Sequence, residues 1–132
     1  MSPESSTIPR VGELRLSAEA TGGRMEIIEY SGSAAPPTHV HRDRDEGFYI
    51  LEGTFTFFVG DETIEAKPTT TLFVPRGTPH RFTHEPGSRA VIVITPAGLE
   101  GFFRTLGEGL EAGKDSNEIR AELAGKFDSH PV

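Results

Sequence analysis

A chain of 132 residues is the size of one domain, and 35% apolar residues, nine Phe among them, can fill a single core rather than leave the chain disordered. A net charge of −7 counts against nucleic-acid binding; no run reaches the roughly 18 apolar residues of a membrane span, and Met1-Ser2-Pro3-Glu4 lacks a basic, apolar leader, so a cytoplasmic protein making no membrane contact is expected. The absence of cysteine excludes disulfides and thiolate ligands, so any metal must be held by His, Asp or Glu.

Fifteen Gly and ten Pro imply many turns between short elements, the pattern of an all-β domain. Residues 1–10, rich in Ser, Pro and Glu, are expected to be disordered. Val11, Leu14 and Leu16 predict a first strand. After the Thr21-Gly22-Gly23 turn, Arg24 to Tyr30 predicts another. A Pro/Gly-rich connection over 31–38 leads into Thr38-His39-Val40-His41. Strands then follow over Phe48 to Leu51, Thr54 to Val59 and Thr63 to Lys67, with Gly53 at one turn and Gly60-Asp61 at a hairpin. The pattern leaves open whether Phe55 and Phe57, or Thr56 and Phe58, face inward. Thr70 to Val74, Arg81 to His84 and Ala90 to Thr95 complete the set, and the last is β-branched enough to be a central, buried strand.

After Pro96 the period changes. Leu99, Phe102, Phe103 and Leu106 predict an amphipathic helix ended by Gly107. Asp115 and Glu118 form an N-cap pair for a second helix carrying Ile119, Leu123 and Phe127. The expected organisation is a disordered 1–10, a β-barrel over 11–96 and a helical extension over 97–128. The extension is expected to pack on the outer sheet, with cover of the barrel mouth or a dimer interface as alternatives. No role is expected for His130. The Arg42–Asp45 run reads as a solvated turn, and Arg76 as a surface residue or a carboxylate contact.

Chemistry concentrates in His39-Val40-His41, Glu46 and His80. In a strand, residues i and i+2 share a face, so both imidazoles can reach one ion through bonds of about 2.1 Å. A turn over Arg42-Asp43-Arg44-Asp45 brings Glu46 back beside them, and Pro75, Gly77 and Pro79 shape the bend before His80. Three nitrogens and one carboxylate make a mixed N/O site for one divalent transition metal ion, Fe, Ni, Mn, Co, Cu or Zn, without choosing among them. Phe48 and Ile50 alternate with Glu46, and Phe82 and His84 with His80, so these four are candidate substrate-binding residues, His84 reading equally as a solvated residue of the barrel rim; Leu72 and Val74 are further wall candidates. Such a wall favours a neutral, aromatic or partly hydrophobic ligand.

Two motifs, His39-x-His41-x4-Glu46-x6-Gly53 and Pro75-x-Gly77-x2-His80, resemble those of the cupin superfamily over roughly 28–95. The chain departs from the family pattern in the spacing of Gly32 before His39, in Thr69 where a Gly usually opens the second motif, and in His84 where an Asn usually closes it. The resemblance implies a single-domain cupin (a monocupin): a small jelly-roll, double-stranded β-helix barrel, here with two C-terminal helices, and a homodimer. Similarity to quercetinase-like cupins implies a dioxygenase acting on a small phenolic, enol or diketone substrate, with Glu46 as general base as well as ligand. A redox-neutral isomerase, cyclase or decarboxylase, and a non-catalytic small-molecule-binding protein, are the alternatives, because one fold hosts many functions.

Overall fold

The computed structural model describes residues 5–33 and 35–132. Its strands form two antiparallel sheets that face each other as a β-barrel. The first holds β1 (Ser6–Ile8), β2 (Gly12–Leu16), β3 (Glu26–Tyr30), and, further along the chain, β5 (Asp45–Glu52), β8 (Thr71–Val74) and β10 (Arg89–Thr95), in the spatial order β1-β2-β3-β10-β5-β8. The second runs β11-β4-β9-β6-β7, from β4 (His39–Val40), β6 (Phe55–Val59), β7 (Glu62–Ala66), β9 (His80–His84) and a C-terminal β11 (His130–Pro131). A one-turn helix, α1 (Ala18–Thr21), bridges β2 and β3, and two longer ones, α2 (Glu100–Glu111) and α3 (Ser116–Leu123), follow β10.

The β-branched run takes the central position expected of it, since β10 lies between β3 and β5 with Ala90, Ile92 and Ile94 turned inward. Gly60 supplies the left-handed residue of the β6–β7 hairpin, whose last pair is Val59 with Glu62. Parity on β6 is resolved in favour of Phe55 and Phe57, both fully buried, whereas Phe58 lies outside beneath Arg81, whose guanidinium is 3.8 Å from the ring centroid. With Phe48, Phe82 and Tyr30 these rings form the aromatic core. Phe48 and Phe57 are 4.9 Å apart and Tyr30 and Phe82 are 5.3 Å apart, both edge-to-face.

Four expectations are corrected. The disordered stretch does not extend over Ser6–Ile8, which pairs with β2 and buries Ile8 in the core; residues 1–4 lie outside the described residues. Gly107 does not end its helix: α2 continues to Glu111, and Gly107 is the position where the helix backbone passes against the Pro9 carbonyl, leaving no room for a Cβ. The stop comes at Gly113, in the left-handed region. Asp115 does cap α3 by accepting from the Glu118 amide, but Phe127 lies beyond its end. Gly125, Phe127 and Asp128 all have positive φ, and Phe127 rests against Gly101 of α2 instead. Finally, the helices cover the barrel mouth rather than the outer sheet.

That placement has a specific anchor. Glu26 of β3, fully buried, accepts through Oε1 from the amides of Gly98 and Leu99, the free donors at the start of α2. From there Phe102, Phe103 and Leu106 turn down over the open end of the barrel.

Candidate metal centre

The four candidate ligands come from both sheets. His39 and His80 are direct partners across β4 and β9, so pairing alone sets their rings side by side, 4.3 Å between centroids. His41, two residues on, shares the His39 face, and its backbone carbonyl is held by the Gly77 amide at 2.7 Å, within the bend that precedes His80. Glu46 enters from the opposite sheet, flanked on β5 by Ile94 and Val74. The donor atoms of the four lie within 4.8 Å of one another, and His41, Glu46 and His80 are buried.

Each imidazole is oriented the same way. The Nδ1–H of His39 donates to the Pro37 carbonyl, that of His80 to Thr78 and that of His41 to Asp128, each at 2.9 Å. A carbonyl can only accept, so each Nδ1 carries the proton and, in the neutral ring, each Nε2 is a bare lone pair. Two of these lone pairs face one carboxylate oxygen: Glu46 Oε1 lies 2.8 Å from His80 Nε2 and 3.1 Å from His41 Nε2. Lone pairs converging in a dry pocket require a shared proton or a cation between them. The donor set therefore fits a divalent ion, with fixed tautomers and backbone carbonyls as the outer support such ions ordinarily have.

The proton affinities follow. Burial, with His80 and His41 alongside, pushes His39 down to about 3, so its ring is neutral and available. Burial would raise Glu46, but the His41 and His80 rings against Oε1, which donate to it whenever Nε2 takes up the ring's second proton, outweigh burial and hold the carboxyl well below the usual range. His41 is likewise opposed by burial, yet its bond to Glu46 leaves it raised.

The cluster opens onto a partly enclosed cavity of about 40 Å³, room for only a few waters. Phe48 and Phe82 lie on its wall; Ile50 does not, being packed in the core beyond. Val74 and Leu72 also lie outside the wall. The placement of His84 near the metal is corrected. It shares the inward face of β9, but Phe82 separates it from His80, and its Nε2 accepts from the Tyr30 hydroxyl at 2.9 Å. It borders an open groove with Ser31, Thr83 and Pro86 instead. Arg76 is engaged by Asp45 at 3.1 Å. The Arg42–Asp45 run is more than a solvated turn: the Asp128 carboxylate accepts from the amides of Arg42 and Asp43, both at 2.8 Å, and pairs with Arg44 at 2.9 Å. Motif spacing held no trace of Asp128, Phe102, Phe103 or Arg120, which reach the site from beyond the barrel. The one available signal was the apolar stripe on α2.

The cupin domain family model matches residues 26–96 of the chain. Among curated proteins, quercetin 2,3-dioxygenase of Bacillus subtilis is 36% identical over 94 residues, 69% of this chain and 28% of that protein. The oxidoreductase iacF of Pestalotiopsis fici is 36% identical over 66 residues, 49% of this chain and 32% of its own length. The chain thus spans less than a third of the curated relatives it matches. In fold it is similar to an RmlC-like cupin from Shewanella frigidimarina, with a TM-score of 0.58 and 19% identity, covering 76% of this chain and 89% of that one.

Proposed function

The chain belongs to the cupin family, and from that membership we propose that it is a metal-dependent dioxygenase acting on a small phenolic, enol or diketone substrate. The observation that carries the reading is the common orientation of His39, His41 and His80, each Nδ1 tied to a backbone carbonyl, with His41 and His80 turning Nε2 onto the Glu46 carboxylate. The likeness to quercetin 2,3-dioxygenase over 69% of the chain supports the class of chemistry. His39, His41, His80 and Glu46 would hold one divalent transition ion, which supplies Lewis acidity and an orienting template for substrate oxygens.

The chain's own residues do the rest. Glu46 is ionised at neutral pH, so it can serve as a ligand; taking the proton of the substrate hydroxyl at Oε1 or Oε2 requires its depressed proton affinity to rise once His41 and His80 no longer donate to it. Phe48 and Phe82 flank the apolar body of the substrate, which a cavity of about 40 Å³ admits only once Phe102 and Phe103 shift outward; in place, those two rings exclude bulk water from above. Both atoms of O2 enter the substrate in such a reaction and the electrons come from the substrate's own bonds, so no external reductant is required.

The test is oxygen uptake by metal-reconstituted protein with small enols, 1,3-diketones and phenols. One O2 consumed per product, and none formed under nitrogen, supports the reading. Product formed equally under nitrogen replaces it with a redox-neutral reaction.

A further inference from the structure

Arg10, Arg15, Arg44, Arg76, Arg89 and Arg104 each pair with a carboxylate. Arg120 differs. It lies on α3 beside the buried Ile119, lines the cavity that holds the metal cluster, and among the described residues no carboxylate pairs with it. Its Nε donates to the Ser116 hydroxyl at 3.3 Å, one turn back along α3, which leaves the outer edge of the guanidinium fork for another acceptor. Arg120 is half-buried, and burial lowers its affinity for the proton with only Tyr30 acting the other way. A cation kept among Phe102, Phe103 and Leu106 without an anion is costly unless one arrives.

Its position indicates where that anion comes from. Arg120, His39, Phe102 and Ser129 are shared between the inner cavity and a more open groove that continues outward past Pro37, Ala124 and Pro131. Arg120 therefore stands at the threshold between solvent and the metal cluster. Charge points to the same ligand: a divalent ion with Glu46 carries a net single positive charge, and Arg120 adds a second. An oxygen anion at the ion and a carboxylate at the fork would balance both, and the planar fork matches a carboxylate in two parallel bonds.

We propose that Arg120 is the carboxylate-binding residue of this cavity, so that the substrate carries a carboxylate in addition to the oxygen donor it presents to the metal. The inference rests on the metal-centre reading above and refines the neutral, aromatic ligand that the barrel wall alone favours.

The experiment compares acetylacetone with 2,4-dioxopentanoate, which carries a carboxylate in place of one methyl of the same diketone, on full-length protein loaded with cobalt(II), reading visible absorption. Wild-type protein should bind the carboxylated member about tenfold or more tightly. Arg120→Gln should lose that preference while its affinity for acetylacetone stays within about twofold, and Arg120→Lys should retain part of it. Because the readout is a ratio within each variant, a modest loss of stability cancels. A wild-type ratio near one, or a full ratio kept in Arg120→Gln, overturns the carboxylate site while leaving the metal centre standing. Failure to take up cobalt overturns the metal-centre reading and this inference with it; cobalt uptake with no response to either diketone overturns the diketone substrate class and this inference while leaving the metal centre standing.

Discussion

At the scale of single residues, the metal-free site holds groups whose proton preferences pull in opposite directions. His39 is neutral in the fold down to about 3, whereas an unfolded histidine takes up a proton near 6.5; between those values the unfolded chain binds more protons, and stability falls as pH drops. Glu46 acts in the same sense: its folded value is depressed, so its contribution is present above the ordinary 4.5 and is lost as pH falls through the folded value. His41 opposes them. Its folded value is raised, so its contribution is complete below 6.5 and is lost as pH climbs through the folded value. Melting temperatures of metal-free protein should therefore pass through a maximum near neutrality, and metal binding there should release a proton from His41. Calorimetric titrations in buffers of different ionisation enthalpy count that proton. A count of zero at neutral pH would show that His41 and Glu46 do not share one. Asp128 extends the argument one shell outward, because its carbonyl orients His41 while its carboxylate gathers two amides and Arg44. Asp128→Asn keeps the left-handed backbone that Asn tolerates, but places an amide donor against donors. A loss of about 1–2 kcal/mol and a drop in metal affinity of about tenfold or more are expected. Unchanged affinity would reduce Asp128 to a loop clamp.

At the scale of elements, Gly107 separates propensity from packing. In an exposed helix interior Gly→Ala gains about 1 kcal/mol, yet here the added methyl meets the Pro9 carbonyl, which belongs to backbone and cannot rotate away. Gly107→Ala is thus expected to lower stability by about 1–3 kcal/mol in denaturant titrations; a gain would mean that α2 floats on the barrel rather than seating against residues 8–9. The same glycine shows what sequence could and could not reveal. Alternation was enough to find the longer strands, because a half-buried strand needs period two whatever its partners, but not β1 or β11, which are too short to show a period; the centrality of β10 was legible from its β-branched run. The candidate ligands were legible because His39-x-His41 and the Pro75–His80 bend have fixed local spacing. What escaped was everything set by distant contact. Gly107 reads as a stop by composition, and only Pro9 explains its place inside a helix. Phe127 keeps the four-residue spacing of Ile119 and Leu123, but left-handed Gly125 turns the chain off α3 before it. His84 has the correct parity on β9, while distance along the strand, which parity does not encode, takes it to Tyr30 instead of the metal.

At the scale of the whole molecule, the C-terminal tail ties the helices over the barrel mouth to the candidate metal site. β11 pairs with β4, the strand that carries His39, and the turn before it delivers the Asp128 carbonyl to His41. Most of the helices' mutual packing lies outside the tail, since Phe102 and Leu106 of α2 bury against Ile119 and Leu123 of α3, and the tail adds Phe127 against Gly101 of α2. A chain ending at Ala124 should then keep both helices and the barrel while losing that contact, the β11 partner of β4 and the acceptor of His41. Metal that binds only the folded state at a hundred times its dissociation constant stabilises by about 2.7 kcal/mol, roughly 10 °C for a domain of this size. Full-length protein should show a shift of that order between metal-free and metal-loaded melts. The shortened chain should melt lower in both states and show a smaller shift at the same metal concentration, because a freely rotating His41 weakens binding while the free metal stays fixed. An equal shift in the two chains would mean that His41 is oriented by β4 and the Gly77 amide alone, and would confine the tail to packing.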